Sequence, residues 1–300
     1  MNIRYGKAFK IPRKIIKYTA SALYPIIIKV FPLPRVLSIE ATLKKLIEDK
    51  ASIVRFGDGE FIYLIDKINL PFQEYDEQLS KSMKGILKSN DPSILVGLPI
   101  GYHSLNNLNK KSRLTWRSQI TWIYPRLRKH LDLDKTYYNA SMTRLYIDFV
   151  DKSQCSKNFE LVMRIWDGRN IVLIEGEKSR LGMGNDLFSN AASVQRILAP
   201  AHHAYRKYAE LLNEASKQSK DKLILVALGP TAKPLVFNLA KKGYQAIDIG
   251  NIDIEYEWYI RGATNKIKIP GKYTSEASEG RTVEEEGDLN YRSQVIARFI

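Results

Sequence analysis

The sequence predicts a doubly wound α/β domain over residues 40–265, with a mostly parallel sheet and helices on both faces. Three observations predict it. Strand-length runs of Val, Ile and Leu recur along the chain, as in strands buried on both faces. Amphipathic stretches of helical period alternate with them. Glycines, carboxylates and cations follow several of the runs, at the strand ends where parallel α/β sheets bind ligands.

The first run, "SIVRF" (52–56), is followed by "DEQLSKSMKGILKS" (76–89), where Leu79, Met83, Ile86 and Leu87 share one helical face. "SILVGLP" (93–99) reads as a second strand stopped by Pro99. Residues 112–131 repeat Trp116, Ile120, Ile123 and Leu127 at helical spacing, interrupted by Pro125. Further strands are expected at "RLYIDFV" (144–150), "NIVLIEG" (170–176), "VQRILAP" (194–200), "KLILVALG" (222–229) and "YQAIDIG" (244–250). "AHHAYRKYAELLNEASKQ" and "TAKPLVFNLAKKG" read as helices, the second closed by Gly243. Beyond Ile269 the chain turns polar, with Glu284 to Glu286 in a row, so residues 266–300 are expected to form a loosely packed tail with a short helix over 290–300.

Composition narrows the chemistry. The single cysteine, Cys155, excludes an intrachain disulfide and suits a reducing compartment. With only four histidines and no Cys/His pair at ligand spacing, a metal here should be a hard, oxygen-bound ion, Mn²⁺ or Mg²⁺. The net charge of +15 calls for an anionic partner. Residues 1–39 hold eight basic residues (Arg4, Lys7, Lys10, Arg13, Lys14, Lys17, Lys29, Arg35) before the first acid, Glu40.

The same segment reads "IIKYTASALYPIIIKVFPLP", broken by Pro25, Lys29, Pro32 and Pro34. It falls short of the roughly 20 uninterrupted apolar residues of a spanning helix. It also lacks a signal-peptide cleavage pattern. Two readings stand: a segment lying on the anionic inner face of the cell membrane, where each Lys or Arg is worth about 1 kcal/mol, or an arm packed on the domain. Either leaves the protein cytoplasmic, peripheral on the membrane in the first case. Nucleic acid is disfavoured as a partner, because no recognised motif accompanies the charge.

The chemistry-bearing residues cluster after the strands. In "VRFGDGEF" (54–61), Asp58 and Glu60 flank Gly59 as a pair of hard ligands, and Arg55 could reach a phosphate or hold a carboxylate; an ordinary Asp-Gly turn is the alternative. "EGEKSRLGMGNDLF" (175–188) sets Lys178, Ser179 and Arg180 beside Gly182 and Gly184, ahead of Asn185 and Asp186, which could instead cap a helix. In "ALGPTAKP" (227–234), Gly229 would admit a ligand and Thr231 could cap. "GNIDIEYEWY" (250–259) alternates Asp253, Glu255 and Glu257; if extended, all three face one way and could supply a general base, or form a solvated strand face. His202 and His203 follow Pro200 at a helix start, where one could contact a nucleotide or simply cap the helix or face solvent, and His103 also follows a strand candidate.

Taken together, "RFGDGE", "EGEKSRLGMGNDLFSNAASVQRILAPAHHAY" and "ALGPTAKPLVFNLAKKGYQAIDIGNIDIEYEWY" resemble the bacterial glycosyltransferases of the GT-D fold class, over residues 40–265. The resemblance implies a Rossmann-like domain binding a UDP-sugar through a divalent cation. It implies Asp58 and Glu60 at the metal–diphosphate, Arg55 beside them, and Lys178, Ser179, Arg180, Asn185 and Asp186 along the donor. The acceptor would be a hydroxyl of a glycan, lipid-linked or protein-linked, as in cell-surface polysaccharide synthesis. Where the family tail often reads Pro-x-x-Asn-Ala, this chain has "PAHHAY". A metal-dependent phosphohydrolase and a non-enzymatic nucleotide- or nucleic-acid-binding protein remain the rival readings.

Overall fold

Strands that are apolar on both faces need cover on both sides, and the alternating helices supply it. A computed structural model describes residues 10–283 and 287–300. Arg4, Lys7 and the Glu284–Glu286 run lie outside the described residues, as do the side chains of Lys10, Arg13 and Lys14. In chain order the elements are α1 (Lys10–Val30), α2 (Ile39–Glu48), β1 (Ser52–Arg55), α3 (Asp58–Asp66), α4 (Glu77–Leu87), β2 (Ile94–Leu98), α5 (Lys110–Leu127), β3 (Tyr138–Asn139) and α6 (Cys155–Met163). There follow β4 (Asn170–Gly176), β5 (Ser193–Ala199), α7 (Tyr208–Ala215), β6 (Leu223–Ala227), α8 (Ala232–Lys241), β7 (Ala246–Asp248), α9 (Ile252–Ile260), α10 (Leu289–Ser293) and β8 (Val295–Arg298).

Among the described residues the strands form one sheet of order β3-β2-β1-β7-β6-β4-β5-β8, and every pairing is parallel. On one face Val54, Val96, Ile174, Ile224 and Val226 pack with Leu79 and Met83 of α4, Ile120 of α5 and Leu235 of α8. On the other, Ile53, Leu95, Leu173, Leu225 and Ile247 pack with Leu43 of α2, Phe159 of α6 and Trp258 of α9. Burying each such side chain contributes about 1.5–3 kcal/mol, so both layers are needed. The predicted doubly wound class is therefore the observed one.

Three sequence expectations change. Residues 144–150 are not a strand. Their N–H groups go elsewhere: Tyr146 and Ile147 both donate to Glu255 Oε1 at 2.8 Å, and Val150 donates to Asn107 O. Residues 250–259 are not extended but form α9, so Asp253, Glu255 and Glu257 do not share one face. Their alternation with Ile252, Ile254, Tyr256 and Trp258 mimics a strand, yet α9 is buried all round. The 266–300 segment is no loose tail: β8 pairs with β5 at the sheet edge, and the buried Tyr291 hydroxyl bonds Glu175. The N-terminal segment forms α1, which packs along α5. No described helix is long and apolar enough to cross a membrane.

Cys155 opens α6 and is buried, its thiol donating to Leu145 O. Burial pushes the thiol up to about 11. The folded protein at pH 8 is therefore expected to resist a thiol reagent such as DTNB, and to react with one equivalent only on unfolding; prompt native labelling would contradict the burial.

Candidate active site

β1 leads to β2 and β3 on one side of the sheet, whereas β4 and β5 lie on the other, so the winding direction changes at the β1–β7 boundary. A crevice opens beyond the carboxyl ends of strands at such a point. Here it is a cavity of about 630 Å³ whose floor holds Arg55, Asp58, Glu60, Lys233 and Asp248.

The floor is built from strand ends and helix starts. "GDGE" turns β1 into α3, with Gly57 at the N-cap and Asp58 and Glu60 in the first turn. Glu60 reaches back so that its Oε2 accepts the Gly57 N–H at 2.9 Å, satisfying one donor of the helix start. Its Oε1 accepts from Lys233 Nζ at 2.8 Å. Lys233 stands in the first turn of α8 with a side chain only 4% exposed, and also reaches Asp248 Oδ2 at 3.1 Å and Gly229 O at 3.0 Å. Arg55 clamps the other side: Nη2 to Asp248 Oδ1 at 3.1 Å, Nε to Asp248 O, and Nη1 to Ala140 O and Thr143 Oγ1. A Cβ on Gly250, whose φ is +48°, would lie 2.0 Å from Arg55 Nη2, so only glycine lets the guanidinium lie flat there.

A basic wall faces this floor. Arg144 and Lys266 both grip Glu276, and all three line the cavity with Arg281. Burial alone would raise the Glu276 carboxyl, but Arg144 and Lys266 hold it down to about 2, so it stays ionised. Asp148 lines the cavity beside them and accepts the Ser112 hydroxyl at 2.7 Å. Asp58 lies at the cleft floor, open to solvent yet crowded by protein, and burial followed by the neighbouring Glu60 raises its carboxyl.

Comparison with known proteins decides the family. The family described as "Glycosyltransferase GT-D fold" matches residues 53–277. The chain belongs to the GT-D-fold glycosyltransferases. It is 39% identical over 267 residues, 89% of its length, to the glycosyltransferase GlyD of Streptococcus pneumoniae, and 36% identical over 88% of its length to the probable glycosyl transferase Gly of Streptococcus gordonii. It spans 33% and 39% of those two proteins, about a third of their length. Among solved structures, it matches a conserved domain described as having a distinct glycosyltransferase fold, with a TM-score of 0.84 and 38% identity over 94% of this chain and 99% of that one. A glycosyltransferase from Streptococcus sanguinis gives 0.84 at 34% identity, covering 89% of this chain and all (100%) of that one.

Within this GT-D domain, Arg55, Asp58, Glu60, Ser179 and Gly229 line the cavity. Arg55 serves to hold the Asp248 carboxylate, the second of its two sequence readings. Lys178 is exposed and outside the lining. Arg180 is buried against Gly271 O. Gly182, Asn185 and Asp186 border a separate hollow with Arg196, Tyr291 and Gln294. They dock on α9 instead: Gly182 N–H and Asn185 Nδ2 donate to Asp253 Oδ1 at 2.8 Å, Asn185 also to Glu257 Oε1, and Asp186 accepts from Tyr256. Thr231 is wholly buried behind the floor.

Asp253, Glu255 and Glu257 are buried in α9 and absent from the cavity lining. Lys272 binds the first and third, and Glu255 takes the Tyr146 and Ile147 amides. Burial raises Asp253 and Glu255, whereas Lys272 and Asn185 outweigh burial and lower Glu257. The histidines are structural too: His203 Nδ1 accepts the Glu74 N–H and His103 Nδ1 bonds Val36 O, while His202 packs edge-on against Tyr273. Sequence reasoning missed Lys233, Asp248, Arg144 and Asp148. The usable signal was a charge inside an otherwise apolar element, as in "AIDIG" and "TAKPLVFNLA".

Proposed function

We propose that this glycosyltransferase moves a sugar from a UDP-sugar to a hydroxyl of a glycan acceptor, with a divalent cation at Asp58. The observation that carries the reading is the crossover cavity, where an acidic floor at Asp58 and Glu60 faces Arg144, Lys266 and Arg281. Cations there suit a diphosphate, and carboxylates there suit a hard metal.

The residues fit Mn²⁺ or Mg²⁺ in a particular way. Among the described residues no group of three or more His, Cys, Asp or Glu side chains is arranged to hold a metal. Glu60 already has both oxygens engaged, by Gly57 N–H and Lys233. Asp58 lines the same cavity and forms no ion pair among the described residues, while its backbone carbonyl accepts from Gln119 Nε2 at 2.9 Å. Such ions are commonly held by one or two carboxylates and substrate phosphates, which this set provides through Asp58 with Glu60 behind it. When bound, the cation would neutralise charge on the departing diphosphate.

The chain's own groups do the rest. Lys233 holds Glu60 and Asp248 in place, and Arg55 grips Asp248 from the other side. Arg144, Lys266 and Arg281 offset the negative charge of the diphosphate. As the bond from the sugar's anomeric carbon to the diphosphate breaks and the bond to the acceptor oxygen forms, the acceptor proton passes to a cavity carboxylate. Asp148 suits that role, because it is partly exposed and oriented by Ser112.

The test is a UDP titration by calorimetry with and without Mn²⁺. Binding is expected to require Mn²⁺ and to weaken by about tenfold or more in Asp58→Ala, a loss of at least 1.4 kcal/mol. Equal binding in the variant would remove the metal role and return "GDGE" to a helix-starting turn.

A further inference from the structure

α1 and α5 lie against each other beside the cavity mouth, and their sequences share an odd property. Each holds five Lys or Arg residues and neither holds an Asp or Glu. Neither helix supplies the other with a counter-charge: Arg126 pairs instead with Asp66 of α3, and Arg117 lies over the Tyr24 ring of α1. On α1, Ile15, Leu23, Ile26 and Val30 follow helical spacing along the outward side and are 46% to 62% exposed. The opposite side meets α5: Ala20 and Ser21 are buried, and Lys17 Nζ donates to Thr115 Oγ1 at 2.8 Å.

That second side meets the part of α5 that borders the cavity, although no described residue of α1 lines the cavity itself. Lys111, Thr115 and Trp116 of α5 line its mouth. Lys17 is close enough to Lys111 and Asp58 to feel both charges, and burial with Lys111 lowers its ammonium. Neither Lys17 nor Lys111 forms an ion pair among the described residues. α1 is therefore an aliphatic strip outside and a cation at the mouth inside, separated by one helix diameter of about 10 Å. An interfacial helix buries its apolar side about 5–10 Å into the acyl boundary. Lys17 would then sit at the depth of lipid phosphates.

We infer that the acceptor is a phosphate-linked lipid glycan: α1 seats its aliphatic side in the bilayer, and Lys17 with Lys111 takes the acceptor's phosphate at the cavity mouth. This deepens the transferase reading by naming the acceptor class. The acceptor's phosphate is distinct from the donor's diphosphate, which belongs to the inner basic wall of Arg144, Lys266 and Arg281.

The experiment measures binding of farnesyl diphosphate, inorganic diphosphate and farnesol to the full chain, in the presence of saturating UDP and Mn²⁺. It is repeated with the Lys17→Met/Lys111→Met double variant and with Lys111→Glu, whose folding is checked by thermal melt. Farnesyl diphosphate is expected to bind at least about tenfold tighter than either fragment, since phosphate contacts and the apolar chain act together. Both variants should lose about that factor. Three results would overturn the inference: equal affinity in wild type and variants, displacement of the lipid by UDP, or a soluble glycopeptide binding at these lysines in its place. Failure of UDP to bind while farnesyl diphosphate binds as expected would count against the donor reading alone.

Discussion

Replacing Lys272 by Met is expected to cost the fold about 3–5 kcal/mol, the usual result of removing one partner from a buried ion pair. The ammonium is 2% exposed and donates to Asp253 Oδ1 and Oδ2 at 2.9 and 2.7 Å and to Glu257 Oε1 at 3.0 Å. Those carboxylates sit one turn apart on α9 and are 0% and 2% exposed. Met fills the space but leaves two buried anions to share Asn185, the Gly182 N–H and, for Glu257, Arg261. The thermal midpoint should fall by roughly ten degrees.

The pH dependence tests the cause. Burial raises the Asp253 carboxyl and Lys272 opposes that rise. In the variant the opposing charge is gone, so the folded value climbs further above the unfolded one. A group raised on folding contributes stability that is present below its unfolded value and lost as pH rises through its folded value. The gap to wild type should accordingly be smallest near pH 5 and widest above neutrality. Asp253→Asn added to the variant should recover part of the loss. A gap constant from pH 5 to 8 would show that packing, rather than the stranded charge, sets the cost.

The same cluster explains what the sequence could and could not reveal. "NIVLIEG" and "KLILVALG" were legible because both faces of those strands are buried, so composition alone marks them. "RLYIDFV" has the same composition but a different fate, decided by Glu255, 108 and 109 residues away in sequence from the amides it captures. No local pattern contains that partner. "GNIDIEYEWY" misled for a related reason: alternation implies a wet face only when its charges lack buried partners, and here Lys272, Asn185 and Arg144 provide them. Asp58 and Glu60 were readable because glycines and paired acids follow a strand. Lys233 and Asp248 complete the same floor but sit inside apolar runs, where charge reads as noise until the sheet brings β7 beside β1.

Lys233→Met is expected to lower kcat for UDP release from a UDP-sugar by about 10²–10³-fold, the range for losing a preorganised electrostatic group. KM should move far less. All three donors of the ammonium are already used, by Glu60, Asp248 and Gly229 O, so it acts by position and field rather than by gripping the substrate. Its loss frees Glu60 on one side and leaves Asp248 with Arg55 alone on the other. In the proposed reaction the floor would then carry an uncompensated negative charge where the departing diphosphate needs the opposite, which penalises the transition state more than the bound donor. A purely structural role would predict another pattern: a lowered melting point, with kcat per folded molecule unchanged. Lys233→Arg separates the two. It keeps the charge but spreads it over a planar fork that does not match three converging acceptors in a site 4% exposed. Partial recovery of stability with a rate still depressed would assign Lys233 to positioning; full recovery of rate would show that net charge at the floor is sufficient.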